Sequence, residues 1–471
     1  MGKDDVSERM AKPGQRGKIK ASVEKTSAGG PNGEAEEILA RKLQTKAEII
    51  AKKIDAFYDH ARKEYVLRVG GENYQNRTEG QFRRDLRFRN LSTAAIPNRN
   101  WSQTDIVLRF LQEERFVRYV GPLAGYKVGY YRINSEPILV TTSPIVIDPK
   151  NGEYPIITDI LCNLFGEKQL AYFLSWLKVA YVTLCAGELR KGQALFLCGE
   201  HDCGKSFVQN YIITPILGGR EAFPYKYLNG DTQFNSELFA AEHLVLDDDV
   251  PFTDQKARRR FGTYIKSVTA SDKTPCFTKF HTPLTLSPFW RLTVSTNDEP
   301  ENLMIIPILD HSLSDKVMLF HAKKHPMPMP TRSDQERQTF RLAIAEELPA
   351  FCDALMRFPV PEEIQDDRYG VKSYQNPRIL ELVNEIQPEN KLLELIDQEI
   401  FGMGGIDPWS GTATKLESAL RGGSLKEQAS KLFYAGNVCG ILLTRLSKQP
   451  LSRVQATERG GRSFYHIYPP Q

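Results

Sequence analysis

Residues 194–206 read ALFLCGEHDCGKS, and no other stretch constrains the chain as tightly. An apolar run of β type, Ala194–Cys198, ends in Gly199, and after four further residues Gly204-Lys205-Ser206 opens a helical pattern. The spacing fits G-x-x-x-x-G-K-[ST], the Walker A pattern, in which consecutive backbone N–H groups curl around phosphate oxygens. Its glycines must accept unusual dihedrals, Lys205 must reach the outer phosphates, and Ser206 must offer its hydroxyl to Mg2+. A helix beginning near Gly204 points its positive dipole end at the same phosphates. The loop Gly199, Glu200, His201, Asp202, Cys203, Gly204, Lys205, Ser206 and Phe207 is therefore expected to hold ATP with Mg2+.

From Gly192 to about Ala322, short β-type runs (ALFLC, HLVLD, RLTVST) alternate with helical ones, which predicts a parallel α/β sheet around the loop. The run HLVLDDDV at 243–250 supplies the partner motif, a buried strand ending in carboxylates. Asp247, 42 residues after Lys205, is assigned to the metal and Asp248 to water activation, with Asp249 one register away from either role. Fifty residues past Asp247, RLTVSTN ends in Asn297. A polar residue capping a strand between the other two can orient the attacking water and sense the terminal phosphate.

A Walker A, a Walker B and a strand ending in asparagine, all between Gly199 and Asn297, closely resemble the superfamily 3 helicases, AAA+ ring ATPases of viruses, phages and mobile elements. The run FGTYIKSVTASDKTPCFTKFHTPLTLSPFWRLTVSTNDEPEN looks like the phage and plasmid primase–helicase branch. The resemblance implies a P-loop NTPase core over 155–325 in a ring homo-oligomer, commonly a hexamer. It also implies a DNA-gripping β-hairpin whose tip is Lys279, Phe280 and His281, residue types suited to phosphates and bases. Lys266 resembles a basic residue that approaches a neighbouring subunit's ATP. Where the family carries an arginine finger this sequence offers Lys316, a point charge without the planar fork; Arg291 and Arg258-Arg259-Arg260 are alternatives. No pair of acids on an apolar strand precedes residue 150, so a helicase without its own primase is expected, with a separate primase as partner.

The remaining chain is read more coarsely. Residues 1–35 are rich in Lys, Gly, Ser and Glu and are expected to be a disordered tail, and 36–150 an N-terminal α+β domain. Helical patterns fill 326–402, GMGG at 402–405 reads as a linker, and 405–471 has the helix, helix, hairpin order of a winged helix. That last segment holds nine Lys/Arg against four Asp/Glu, and Arg445, Arg453, Arg459 and Arg462 are its candidates for contacting duplex DNA. Seven scattered cysteines without a CxxC pair suit a reducing compartment and argue against a zinc site. The most apolar helical stretch, 170–186, is short for a membrane span and carries Lys178, so a cytoplasmic protein without membrane contact is expected. These features together predict an ATP-dependent DNA helicase. The alternatives are a P-loop motor that does not unwind DNA and a nucleotide-switched origin-binding protein.

Overall fold

A computed structural model describes residues 31–247, 255–279, 282–402, 407–434, 436–448, 452–459 and 461–470. The chain divides into two compact units, one of residues up to Phe57 with Arg77–Arg115, the other of Tyr58–Asn76 with Phe116–Gln471. The first is built on helices Pro31–Lys53, Glu79–Phe88 and Gln103–Glu114. Two of these start at reciprocal caps, Thr78 with Gln81 and Ser102 with Asp105, which satisfy amides that a helix start leaves open. Ala47, Ala51, Phe82, Leu86, Val107 and Leu111 are buried in this unit.

The second unit is organised by a five-stranded parallel sheet. Its strands, in chain order, are β1 (Ala194–Gly199), β2 (Glu221–Ala222), β3 (His243–Leu246), β4 (Arg291–Thr296) and β5 (Val317–Ala322). Their spatial order is β5-β1-β4-β3-β2. Every residue of β1, β3 and β4 is buried, which explains why these segments read as continuous apolar runs rather than alternating ones. One face packs into a cluster that includes Phe196, Leu244, Phe261, Trp290 and Leu292. The other packs into a cluster with Leu195, Leu197, Phe320, Phe340 and residues of the helix Pro155–Ala186. That helix is long and apolar enough to cross a membrane, but half of its most apolar window is buried inside the protein. Gly166, at φ 66°, breaks it into two segments.

The strands Tyr119–Gly121, Gly129–Ile133 and Glu136–Val140 form a small sheet that lends Ile133, Ile138 and Val140 to the first cluster. The stretch expected to be one α+β domain over 36–150 thus gives its helices to the first unit and these strands to the second. All seven cysteines are free thiols.

Past the phosphate loop the helix is not uniform. Lys205–Val208 is α-helical, Gln209–Ile213 widens into a π-helical turn, and Thr214–Ile216 resumes the α form. The wide turn lets Gln209 and Thr214 reach inward. Gln209 Nε2 donates to Thr293 Oγ1 at 2.7 Å, and His243 lies between Thr214 Oγ1 (2.7 Å) and Thr293 Oγ1 (2.8 Å). Burial pushes the His243 imidazole down to about 3, so it is neutral between its two hydroxyl partners.

The third cluster draws Leu392, Leu395 and Ile396 from the helix Pro388–Glu399 together with Leu416, Leu442, Val454 and Ile467. Helix Pro388–Glu399, strand Trp409–Gly411, helices Ala413–Gly422, Lys426–Leu432 and Val438–Leu446, and the hairpin Val454–Arg459 with Arg462–Ile467 follow one another. The first strand pairs with the last, giving a three-stranded sheet. This C-terminal packing starts ahead of the linker expected at 402–405, because Pro388–Glu399 supplies part of its core.

Candidate functional site

The site lies where β1, β4 and β3 end side by side. Gly199 closes β1, and a Cβ there would stand 2.1 Å from the Ala322 carbonyl oxygen of β5, so only glycine permits that approach. Two residues of the following loop take left-handed backbone, Asp202 at φ 57° and Gly204 at φ 100°. The second needs glycine for its dihedral, and a Cβ there would also push aside the Met327 methyl, 2.8 Å away.

Lys205 is 4 % exposed, and its ammonium donates to Gly199 O at 2.9 Å, Glu200 O at 2.9 Å and Asn297 Oδ1 at 3.0 Å. A buried ammonium is tolerable because three acceptors surround it. Ser206 Oγ donates to Asp247 Oδ1 at 2.9 Å, and Ser295 Oγ donates to the same oxygen at 2.5 Å. Asp247 follows β3 and Asn297 follows β4, and β4 runs between β1 and β3. The structure brings Lys205, Ser206, Asp247 and Asn297 to one place. Asp248 and Asp249 lie outside the described residues.

Next to this group, Asp298 faces His321 Nε2 at 3.9 Å and Arg378 at 3.8 Å. Burial, helped by the Arg378 charge, holds His321 below its ordinary range. Cys203 is buried in the loop, and burial pushes its thiol up, so it packs as a small neutral group.

Strand Thr274–Cys276 pairs antiparallel with Leu284–Leu286, a two-stranded ladder ahead of β4. Lys279, between the two strands in the chain, is exposed, while Phe280 and His281 lie outside the described residues. The hairpin is clamped at its base by Asn235, whose Oδ1 accepts from Phe277 N at 2.7 Å and whose Nδ2 donates to Pro275 O at 3.0 Å.

Lys316 immediately precedes β5 and pairs with Asp315 at 2.7 Å. Six residues of strand separate it from the end of β5 beside the phosphate loop, roughly 20 Å. Arg291 is 1 % exposed, lies over the Phe289 ring at 4.5 Å and donates to Arg190 O and Trp290 O. Burial pushes it down to about 9, and so enclosed a side chain cannot reach another subunit. Arg258 is likewise buried, Arg260 is bonded to Leu228 O and Asn229 O, and Arg259 is exposed. Lys266 lines a cleft with Arg259 and Asp310.

The four C-terminal arginines divide into two pairs. Arg445 is bonded to the buried Glu389 at 2.8 Å, and Arg453 to Asp397 at 2.6 Å and to Tyr468 O at 3.0 Å. These two are committed inside the domain. Arg459 and Arg462 are exposed partners across the end of the hairpin, with Arg459 over the Phe464 ring at 4.5 Å.

Sequence reasoning missed Ser295, although its place two residues before Asn297, near the end of β4, was a signal that both face one way. It also missed the segment after β5. Here Pro326, Pro328 and Pro330 are exposed, while Met327, Met329 and Thr331 turn inward. Among these, Met327 and Thr331, together with Arg337, Phe340 and Arg341 of the helix Asp334–Arg357, line a cavity of about 600 Å³ beside the phosphate loop. The alternating prolines were the legible sign of an extended strap.

Residues 197–310 match a family described as a family of unknown function, DUF5906. No curated protein matches the chain. Among solved structures, the A-form apo structure of the NrS-1 C-terminal region has a TM-score of 0.51 at 12% identity, covering 91% of this chain and 99% of that one. Another apo structure of that region gives 0.50 at 14%, covering 92% and 99%. The SCCmec type IV Cch active helicase gives 0.27 at 9%, covering 84% and 70%, too distant to carry an argument. The NrS-1 likeness shows a shared fold over most of the chain.

Proposed function

We propose that the chain is an ATP-dependent DNA helicase of the superfamily 3 kind, acting in replication of a phage, plasmid or other mobile element. In this reading it hydrolyses ATP between subunits of a ring, commonly a hexamer, and draws single-stranded DNA through the centre. The observation that carries the reading is the convergence of Lys205, Ser206, Asp247 and Asn297 at the ends of three adjacent parallel strands.

Lys205 holds the outer phosphates. The Ser206 hydroxyl and the Asp247 carboxylate would hold Mg2+, and this donor set fits: a hard cation takes oxygen ligands, and phosphate oxygens and water complete its shell. Among the described residues no cluster of three or more His, Cys, Asp or Glu competes for a metal. When bound, the ion neutralises charge on the phosphates. Asn297 orients the attacking water, and Asp248 activates it. The hairpin tip with Lys279, Phe280 and His281 grips the strand, and Arg459 and Arg462 meet duplex DNA. Lys316 acts as the finger for a neighbouring subunit, which requires it to leave its pairing with Asp315. A separate primase completes the replication machinery.

The test is ATP hydrolysis by the purified chain with and without single-stranded DNA, beside Lys205→Ala. Turnover that rises with DNA and vanishes in the variant is expected. Nucleotide binding without turnover under either condition would replace the motor with a nucleotide-dependent switch.

A further inference from the structure

The phosphate loop lines one side of the 600 Å³ cavity, and the strap with the helix Asp334–Arg357 lines the opposite side. That side sets the apolar Met327 and Phe340 beside Thr331, Arg337 and Arg341. Phe340 stacks on Phe207 with ring centroids 4.8 Å apart and planes 8° from parallel, and Phe207 in turn contacts Tyr211 at 4.9 Å. The Arg341 guanidinium lies over the Tyr211 ring at 4.9 Å. Because Phe207 directly follows Ser206, this ladder ties the wall rigidly to the phosphate-binding residues. Met327 presses on the loop from the strap, as its closeness to Gly204 requires.

The wall has few groups with which to read the edge of a base. Proline at 326, 328 and 330 removes three backbone N–H donors from the strap. Arg337 spends donors on Thr331 O (3.0 Å) and Arg332 O (2.9 Å) and pairs with Asp334, which fastens the strap to the helix. No carboxylate or side-chain amide among the lining residues lies on this side to accept from an exocyclic amino group. What it offers a ligand is the Met327 thioether, the Phe340 ring, Thr331 and the exposed Arg341 guanidinium held over Tyr211, a set in which the larger groups favour the broad face of a ring.

We propose that the strap and the first turns of the helix Asp334–Arg357 form a base subsite that takes a purine by its face, with Met327 and Arg341 as its principal contacts. The proposal rests on the reading of the loop as a nucleotide site and adds what the rest of the nucleotide touches. It follows that adenine and guanine are held about equally. Pyrimidines, with less ring to cover, are held more weakly.

The test is calorimetric titration of the full chain with ADP, GDP, CDP and pyrophosphate in Mg2+, for the unaltered protein, Met327→Ala and Arg341→Ala. Phe340 is avoided because it is buried and its loss would disturb the core. Expected are ADP and GDP affinities within about tenfold of each other, CDP weaker than both by about tenfold, and a loss of about tenfold for both purines in each variant. Pyrophosphate affinity should stay unchanged in the variants. A preference for ADP over GDP beyond a hundredfold would overturn the proposal, as would nucleotides binding no better than pyrophosphate. In both of those cases the phosphate site survives. Absence of binding by all four ligands would remove the nucleotide reading itself and the proposal with it.

Discussion

Lys205 Nζ and Asn297 Oδ1 are 3.0 Å apart, so the ammonium of the phosphate loop and the amide ending the central strand are one hydrogen-bonded unit. The lysine keeps two carbonyl partners if the amide is lost. Asn297→Ala is therefore expected to leave ADP affinity within a few-fold while slowing single-turnover hydrolysis on the order of a hundredfold. Equal losses in binding and turnover would reduce Asn297 to a scaffold for Lys205.

Ser295 contributes no atom to the loop, yet its hydroxyl shares Asp247 Oδ1 with Ser206. Partners that orient a carboxylate tune the ion it holds. Ser295→Ala should raise the Mg2+ concentration needed for half-maximal turnover by about tenfold, with most of the rate recovered at high Mg2+. A Mg2+ titration of initial rates checks this.

Gly199→Ala pits a methyl group against a backbone carbonyl at 2.1 Å, and neither side can swing away. The strands β1 and β5 must part locally, at a cost of about 1–3 kcal/mol or more. A lower melting temperature is expected even without nucleotide, which separates this effect from lost phosphate contacts.

The buried His243 gives a pH dependence of known sign. Its folded value, about 3, lies below the ordinary 6.5, so the unfolded chain takes up the proton first. The stability linked to this residue is whole above about pH 6.5 and declines as the pH falls toward 3, by up to about 1.4 kcal/mol per unit. Denaturant melts between pH 7.5 and 5 should show this slope, and His243→Asn should flatten it. An unchanged slope in the variant would assign the acid sensitivity to other groups.

In the C-terminal domain the two kinds of arginine should separate experimentally. Arg445→Ala leaves Glu389 buried with Oε2 already lacking a partner, so about 1–3 kcal/mol of stability should be lost. Arg459→Glu with Arg462→Glu should leave the melting temperature unchanged and weaken binding to duplex DNA, with the salt slope reduced by about two. Fluorescence anisotropy across a salt series reads both.

The loop, its two partner strands and the order of β1, β4 and β3 were legible because each depends on local signals: glycine spacing, an apolar run, a polar residue at a strand end. The hairpin ahead of β4 was legible by resemblance, but its clamp Asn235 was not, since it sits some forty residues earlier in the chain. The assignments of Arg445 and Arg453 to DNA illustrate a different limit. Composition counts charges, whereas Glu389 and Asp397, the ion-pair partners of these two, come from a helix on the far side of the linker expected at 402–405. The strap at 323–333 was passed over because it has no regular secondary structure.

The widened turn at Gln209–Ile213 has a consequence for how this chain can vary in length. It accommodates one residue more than the helix on either side, and every residue beyond it is rotated by about 100° from where an unbroken helix would set it. Deleting a single residue there would restore regular geometry and turn Thr214, Ile216 and Leu217 away from the positions where they are now buried. Substitutions along this segment change one contact at a time, whereas a one-residue gap would change the facing of all that follow. Among homologous chains, the distance from the loop lysine to the buried threonine should therefore be held fixed more strictly than the identity of the residues between them.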